Sequence, residues 1–250
     1  TPTHTLSLHD ALPIWFTREF LGDRRQLTYV GTGDIGANTL SFGADWTEET
    51  IRTDDTSGED VTVALFGEAV LRPLETLDMA LSLRHDDSDD FGGVTTGRLA
   101  LAWQAAPDTI VRAVAGTGFR APSLFERFSG FGDPDLEAEE SLSFEFGVEQ
   151  RFGPESFVKA TAFYTEIENL IDFDPNSIAC SSGFGCYAQV PGTTTTRGLE
   201  LSGRYDLAAG RAALFGAYTY TDAETEEGRL PRVPRHDLVV GVEGEIAAGL

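Results

Sequence analysis

From Leu142 the chain alternates without a fault: Leu142, Phe144, Phe146 and Val148 fall on one face, and Ser143, Glu145, Gly147 and Glu149 on the other. A period of two sends successive side chains to opposite sides of a sheet. Here one side suits hydrocarbon and the other suits water, which separates a transmembrane barrel strand from a strand buried on both faces. The same period returns along the chain. Leu40, Phe42, Ala44 and Trp46 share a face, as do Leu77, Met79, Leu81 and Leu83, then Leu99, Leu101 and Trp103, then Val111, Ala113 and Ala115. Further on come Val158, Ala160, Ala162 and Tyr164, then Leu199, Leu201, Gly203 and Tyr205, then Leu214, Gly216, Tyr218 and Tyr220, and last Leu238, Val240 and Val242. Val61, Val63, Leu65, Ala69 and Leu71 follow the rule too, although Phe66 and Val70 blur their opposite face.

The count is about eleven strands, and the fold class is all-β. Their links alternate between short and long. Short ones lie near 31–38, 72–76, 104–108, 151–155 and 206–211; long ones lie near 49–60, 86–93, 117–140, 166–196 and 222–235. A soluble sandwich has no reason to sort its loops this way, whereas an outer-membrane barrel has short periplasmic turns and long external loops. Trp46, Trp103, Tyr218 and Tyr220 are expected near strand ends, where aromatic girdles belong. The expectation is an antiparallel up-and-down transmembrane β-barrel, present in part, with Arg84, Arg98, Lys159 and Arg204 facing the lumen together with Arg112 and Glu68.

Composition narrows the alternatives. No run of about 18 apolar residues occurs, so no transmembrane helix is expected, which leaves barrels untouched. A formal net charge of −23, from 41 acids against 18 Lys plus Arg, repels phosphate backbones and argues against nucleic acid as a partner. Gly31-Thr32-Gly33-Asp34-Ile35-Gly36 matches a dinucleotide fingerprint, but that fingerprint opens a helix and a strand pattern follows here, so the glycines are expected to make a tight turn. The acidic runs Asp54-Asp55, Asp86 to Asp90 and Glu224 to Glu227 all fall in the long links, with no nucleophile or metal motif beside them, so no enzyme activity is expected. Asp86, Asp87, Asp89 and Asp90 are the candidates for calcium, against a solvated acidic tip; no other cofactor is expected. Cys180 and Cys186, with five residues between them and no histidine nearby, favour a disulfide in an oxidising compartment over a zinc site, two free thiols being the alternative.

Gly116-Thr117-Gly118-Phe119-Arg120-Ala121-Pro122-Ser123-Leu124, then Phe125-Glu126-Arg127-Phe128, then Pro134-Asp135-Leu136-Glu137-Ala138-Glu139-Glu140-Ser141, resembles the barrel signature of TonB-dependent outer-membrane receptors. The resemblance implies a Gram-negative outer-membrane barrel of about 22 strands, of which this chain holds about eleven. It implies outer-membrane lipid and the TonB complex as partners, the latter through a plug region expected to lie outside this chain. The implied activity is import of a large scarce solute energised through TonB. Glu168 to Asp174 and Thr196-Arg197-Gly198-Leu199-Glu200 place it closest to the cobalamin transporter branch, with a ferric siderophore as the alternative. Phe125, Arg127, Phe128 and Phe131 are the candidate ligand-loop residues, and the alternative is that the rings pack among themselves. A passive porin and a soluble all-β carbohydrate-binding domain are the rivals from other classes.

Thr5 to Ile14 resembles a translated sequencing adapter, so residues 1–14 are set apart and 15–250 are taken as a partial barrel domain. Ala247-Ala248-Gly249-Leu250, which begins a turn rather than ending a strand on an aromatic residue, leads to the expectation of missing strands beyond it.

Overall fold

The computed structural model describes residues 20–53, 56–180, 182–207 and 211–244. Residues 1–14, Asp54-Asp55 and Ala247 to Leu250 therefore lie outside the described residues. The elements are β1 (Phe20–Ile35), β2 (Asn38–Thr53), β3 (Ser57–Leu74), β4 (Leu77–Ser88), β5 (Gly92–Ala106), β6 (Thr109–Arg120), α1 (Leu124–Phe128), β7 (Glu139–Arg151), β8 (Phe157–Glu168), β9 (Ile171–Asp174), β10 (Cys186–Gln189), β11 (Thr193–Leu207), β12 (Ala212–Thr225), β13 (Gly228–Arg229) and β14 (His236–Gly244). Every long strand pairs antiparallel with the long strand before it, from β1 through β8 to β11, β12 and β14. The two-residue β13 pairs with the end of β12, and β9 with β10 makes a separate hairpin. Among the described residues this is one meander of eleven long strands, part of an up-and-down β-barrel.

Register joins the apolar faces into one belt. Met79 stands opposite Leu101, Leu101 opposite Ala113, Ala113 opposite Phe146, Phe146 opposite Ala162, Ala162 opposite Leu199, and Leu199 opposite Tyr220. Residues that a soluble protein would bury lie open on this face: Leu83 is 62% exposed, Phe146 56% and Val240 65%. Carboxylates meanwhile are buried, Asp86 at 4% and Glu149 at 9%. Such an inversion fits a sheet whose outer face is solvated by lipid. Trp103 and Tyr205 stand near the short-turn end of the belt, and Trp46, Tyr164, Tyr218 and Tyr220 lie toward the loop end.

The inner face is polar and ion-paired. Arg84 bridges Asp45 and Asp86, each at 2.7 Å, and stacks its guanidinium over Phe66. Arg112 reaches Glu149 at 2.9 Å, and Arg204 reaches Glu243 at 2.6 Å. Glu68 opposite Ser82, Ser82 opposite Arg98, and Lys159 opposite Glu149 share that face.

Two sequence expectations are corrected. The tight turn expected over Gly31 to Gly36 narrows to Gly36, with φ +63°, because β1 runs on through Gly31 and Gly33. The links expected near 49–60 and 86–93 are tall hairpins rather than long loops, for Arg52 pairs with Ser57 and Ser88 with Gly92. Polar residues there read as loop, yet ladder hydrogen bonds need no apolar side chain once the strand leaves hydrocarbon. Neighbouring strands support them: Arg25 of β1 pairs with Glu48 of β2 at 3.2 Å, and Ser88 of β4 donates to Asp60 of β3 at 2.6 Å. Asp86 and Asp87 accordingly sit in β4 and Glu224 in β12, not in loops.

The two faces predict opposite responses to charge. Leu81→Arg on the belt should cost about 2–4 kcal/mol, and Ser82→Arg on the inner face under about 1 kcal/mol, in denaturant unfolding from lipid bilayers. Equal costs would contradict the assignment of faces.

Candidate functional site

Loops gather at the end of the sheet opposite the tight turns. The β6–β7 link is organised from its first residues. Pro122 disfavours helix before it, and Ser123 then caps α1: its hydroxyl accepts from the Glu126 N–H at 3.2 Å, while the Ser123 N–H donates to the Glu126 carboxylate at 2.7 Å. Arg120, at the end of β6, donates to both Glu126 oxygens at 3.0 and 3.1 Å and to Glu139 of β7 at 2.6 Å. The same Glu139 oxygen accepts the buried Ile171 N–H of β9 at 2.8 Å. One guanidinium thus ties β6, α1 and β7, and through Glu139 the β9–β10 hairpin. Burial works to raise the Glu126 carboxyl, but the Ser123 N–H, the Arg120 guanidinium and the Ser123 hydroxyl outweigh it and hold the group below its ordinary range.

The ligand-loop candidates from the sequence are brought into this assembly, each half-buried. Phe125 packs edge-on against Tyr187 at 6.1 Å between centroids, Phe131 against Phe173 at 6.1 Å, and Phe173 against Tyr187 at 5.5 Å. The Tyr187 N–H donates to the Phe131 carbonyl at 2.8 Å. Phe128 lies on Gly58 of β3, where an added Cβ would come within 2.5 Å of the ring. Arg127 binds Asp90 at 2.7 Å, donates to the Pro134 carbonyl, and covers Phe128. Cys180 and Cys186 are bonded, which closes the tip of the β9–β10 hairpin. Beyond the packed rings, Ile178 at 89% and Phe184 at 80% exposure project from that tip.

The four aspartates considered for calcium are divided rather than gathered. Asp86 is chelated by Arg84 and Asp90 by Arg127, while Asp87, next to Asp86 in the strand, points to the other face. Among the described residues no three acidic, histidine or cysteine side chains converge on one point.

Sequence reasoning missed the Arg120 clamp and the rings of Phe173 and Tyr187. The capping box was written in Ser123-x-x-Glu126; the links to Glu139 and Ile171 span elements and leave no local signal. Within the Thr196 to Glu200 stretch, packing accounts for Gly198. Gly198 faces the Phe163 ring, and a Cβ there would come within 2.0 Å of the Tyr220 carbonyl oxygen, so the position admits no side chain.

A lipid-facing belt, an ion-paired inner face and a crown of interlocked loops at one end define part of an outer-membrane β-barrel. The chain matches the family described as TonB dependent receptor-like, beta-barrel, over residues 4–244, and it belongs to that family. Its members are receptors of the Gram-negative outer membrane, which sets enzymes, porins and soluble carbohydrate-binding domains aside. The chain is 29% identical over 172 residues to the vitamin B12 transporter BtuB of Vibrio cholerae, an alignment covering 67% of this chain and 26% of that protein. In fold it is similar to the siderophore receptor PirA from Acinetobacter baumannii (TM-score 0.76, 15% identity, 92% of this chain and 41% of that one). It is likewise similar to the ferric enterobactin receptor PfeA from Pseudomonas aeruginosa (TM-score 0.75, 19% identity, 92% of this chain and 40% of that one). The chain thus spans about a quarter of the BtuB relative and two fifths of these structures.

Arg120→Ala should loosen the loop by about 1–2 kcal/mol, the lower part of the range for charged hydrogen bonds because the guanidinium is half exposed. Hydrogen exchange over residues 121–138 and 169–190 should rise together, while the barrel strands stay protected. The pH dependence has a definite sign. A carboxyl lowered by folding contributes stability above its unfolded pKa of about 4.3 and loses it as pH falls through the lower folded value. Protection at 121–138 should therefore hold from pH 7 to about 5 and fall below about 4.

Proposed function

We propose that this chain is the loop-bearing part of an outer-membrane receptor that imports a large, scarce solute, energised through the TonB complex. The observation that carries the proposal is the crown of loops. Arg120, Arg127 and the four-ring cluster hold separate loops as one preassembled surface above the inner face. A surface ordered before binding keeps the entropic cost of gripping a large ligand low. Phe125, Arg127, Phe128 and Phe131 support that surface from beneath, and the disulfide-closed tip with Ile178 and Phe184 offers the open apolar contact. The ion-paired inner face would receive a plug carried on a segment outside this chain, the segment through which TonB would act.

The favoured solute is cobalamin, on the similarity to the BtuB transporter. A ferric siderophore is the second reading, favoured by the fold shared with PirA and PfeA. The test is growth on limiting cyanocobalamin of a strain that lacks its own receptor and carries the complete receptor, with and without TonB. Growth that depends on both supports cobalamin import. Failure to grow, with a ferric chelate bound by the purified receptor instead, selects the siderophore. Solute entry that persists without TonB overturns the energised mechanism. Replacing both cysteines, Cys180→Ser with Cys186→Ser, should weaken ligand binding about three- to tenfold by releasing the ordered hairpin, with barrel unfolding unchanged.

A further inference from the structure

The exposed apolar tip of the β9–β10 hairpin stands in a one-sided charge setting. The eleven residues from Asn176 to Cys186 carry no charge, and Ile178 and Phe184 project from them. The disulfide between Cys180 and Cys186 closes the segment, so both side chains are offered from a short ring rather than a free loop. At its base Asp172 and Asp174 are exposed. Their carboxylates accept the Phe173 N–H at 2.7 Å and the Asn176 N–H at 2.9 Å, bonds that place them and leave their charge intact. Across the join lie Asp135 and Glu137 of the β6–β7 link, exposed as well, where Gln189 of β10 donates to the Glu137 carbonyl at 3.3 Å.

No cation offsets these carboxylates. The two links that build the crown, 121–138 and 169–192, contain six acids and one base. That base is Arg127, 14% exposed and held by Asp90. Arg120, at the edge of the crown, divides its donors between Glu126 and Glu139. Asp135, Glu137, Asp172 and Asp174 have no cationic partner among the described residues. The last external link sets Arg229, Arg232 and Arg235 against Glu224, Glu226 and Glu227, so it supplies no positive excess. An anion nearing the tip therefore meets carboxylates and no free guanidinium. An uncharged molecule meets the same apolar surface without that repulsion.

We propose that the crown selects a solute with an apolar face and no negative charge. The proposal rests on the receptor reading above and narrows the solute within it. Ile178 and Phe184 cover the apolar face, and the carboxylates at the base of the tip turn anions of similar size away. One carboxylate about 10 Å from a trianion disfavours it about twofold at physiological ionic strength and about fivefold at about 10 mM salt. Several together sort solutes by charge. Among ferric chelates the rule divides two chemistries. Iron(III) held by three monoanionic hydroxamates is neutral, whereas iron(III) held by three dianionic catecholates is a trianion.

Calorimetric titration of the purified complete receptor with three probes tests this: cyanocobalamin, a neutral ferric trihydroxamate and a trianionic ferric tricatecholate. At about 10 mM salt the better neutral probe should bind at least about tenfold more tightly than the trianion. Asp172→Asn with Asp174→Asn keeps the acceptors for Phe173 and Asn176. That pair should narrow the gap at least about threefold at the same salt, with the neutral affinity unchanged, and raising salt to about 0.5 M should narrow it in the unaltered receptor. Ile178→Ala with Phe184→Ala should weaken the neutral probe about tenfold. Heat-dependent gel migration verifies that each variant retains the barrel. A trianion bound as tightly as the neutral probes, or a gap untouched by the asparagine pair, overturns the charge rule and leaves the receptor reading standing. A neutral chelate bound in place of cyanocobalamin overturns the cobalamin reading and supports the charge rule. Binding of none of the three overturns both.

Discussion

No backbone N–H or C=O can be left unpaired in hydrocarbon, and the rest of this structure depends on that constraint. The only strand order that meets it with short connections is the meander, each strand satisfied by the one before and the one after. Register follows, because a slip of one residue would turn Phe146 and its neighbours inward and Glu145 into lipid. The ladder from Met79 through Phe146 to Tyr220 is what that requirement leaves when every strand must keep its apolar side out. The close approaches come from the same source. Gly198 lets β11 lie under the Phe163 ring without parting from β12.

Above the belt water can satisfy the backbone, and side chains take over the work of holding the chain. Hairpins β2–β3 and β4–β5 continue as polar ladders, and the two longest links fold back on one another. Arg120 is central there because a guanidinium has enough donors to serve two carboxylates at once. Glu139 then has a lone pair left for Ile171, so a single charged network reaches from a barrel strand to a hairpin far along the chain. The ring cluster adds apolar contact to the same join. A lysine at position 120 would carry the charge but not the fork.

The faces of the strands were legible because alternation is a local property, readable in a window of a few residues. Every apolar set named from the pattern, from Leu40 to Val242, lies on the outer face by register. The ends of strands were not legible. Glu48, Glu49 and Asp86 have the composition of loops, and only their partners across the hairpin make them strand. The crown was legible in part. Ser123 and Glu126 announce a helix start within four residues, but Phe128 meeting Gly58, Arg127 meeting Asp90 and Phe131 meeting Phe173 join distant segments that no local pattern connects.

The distribution of arginine shows how one residue type is used three ways in an acidic chain. On the inner face Arg84 and Arg112 neutralise carboxylates that would otherwise repel one another across the lumen wall. In the crown Arg120 and Arg127 are spent on internal partners, with Arg127 only 14% exposed, so little of their charge is left to attract a solute. On the outer rim Arg197 and Arg235 share the Asp222 carboxylate, with Glu224, Glu226 and Glu227 close by in sequence, and both guanidiniums stay open to the outside. Pairing that saturates the donors builds structure; pairing that leaves some free builds a surface. By that measure the crown acts as scaffold for the exposed tip at Ile178 and Phe184.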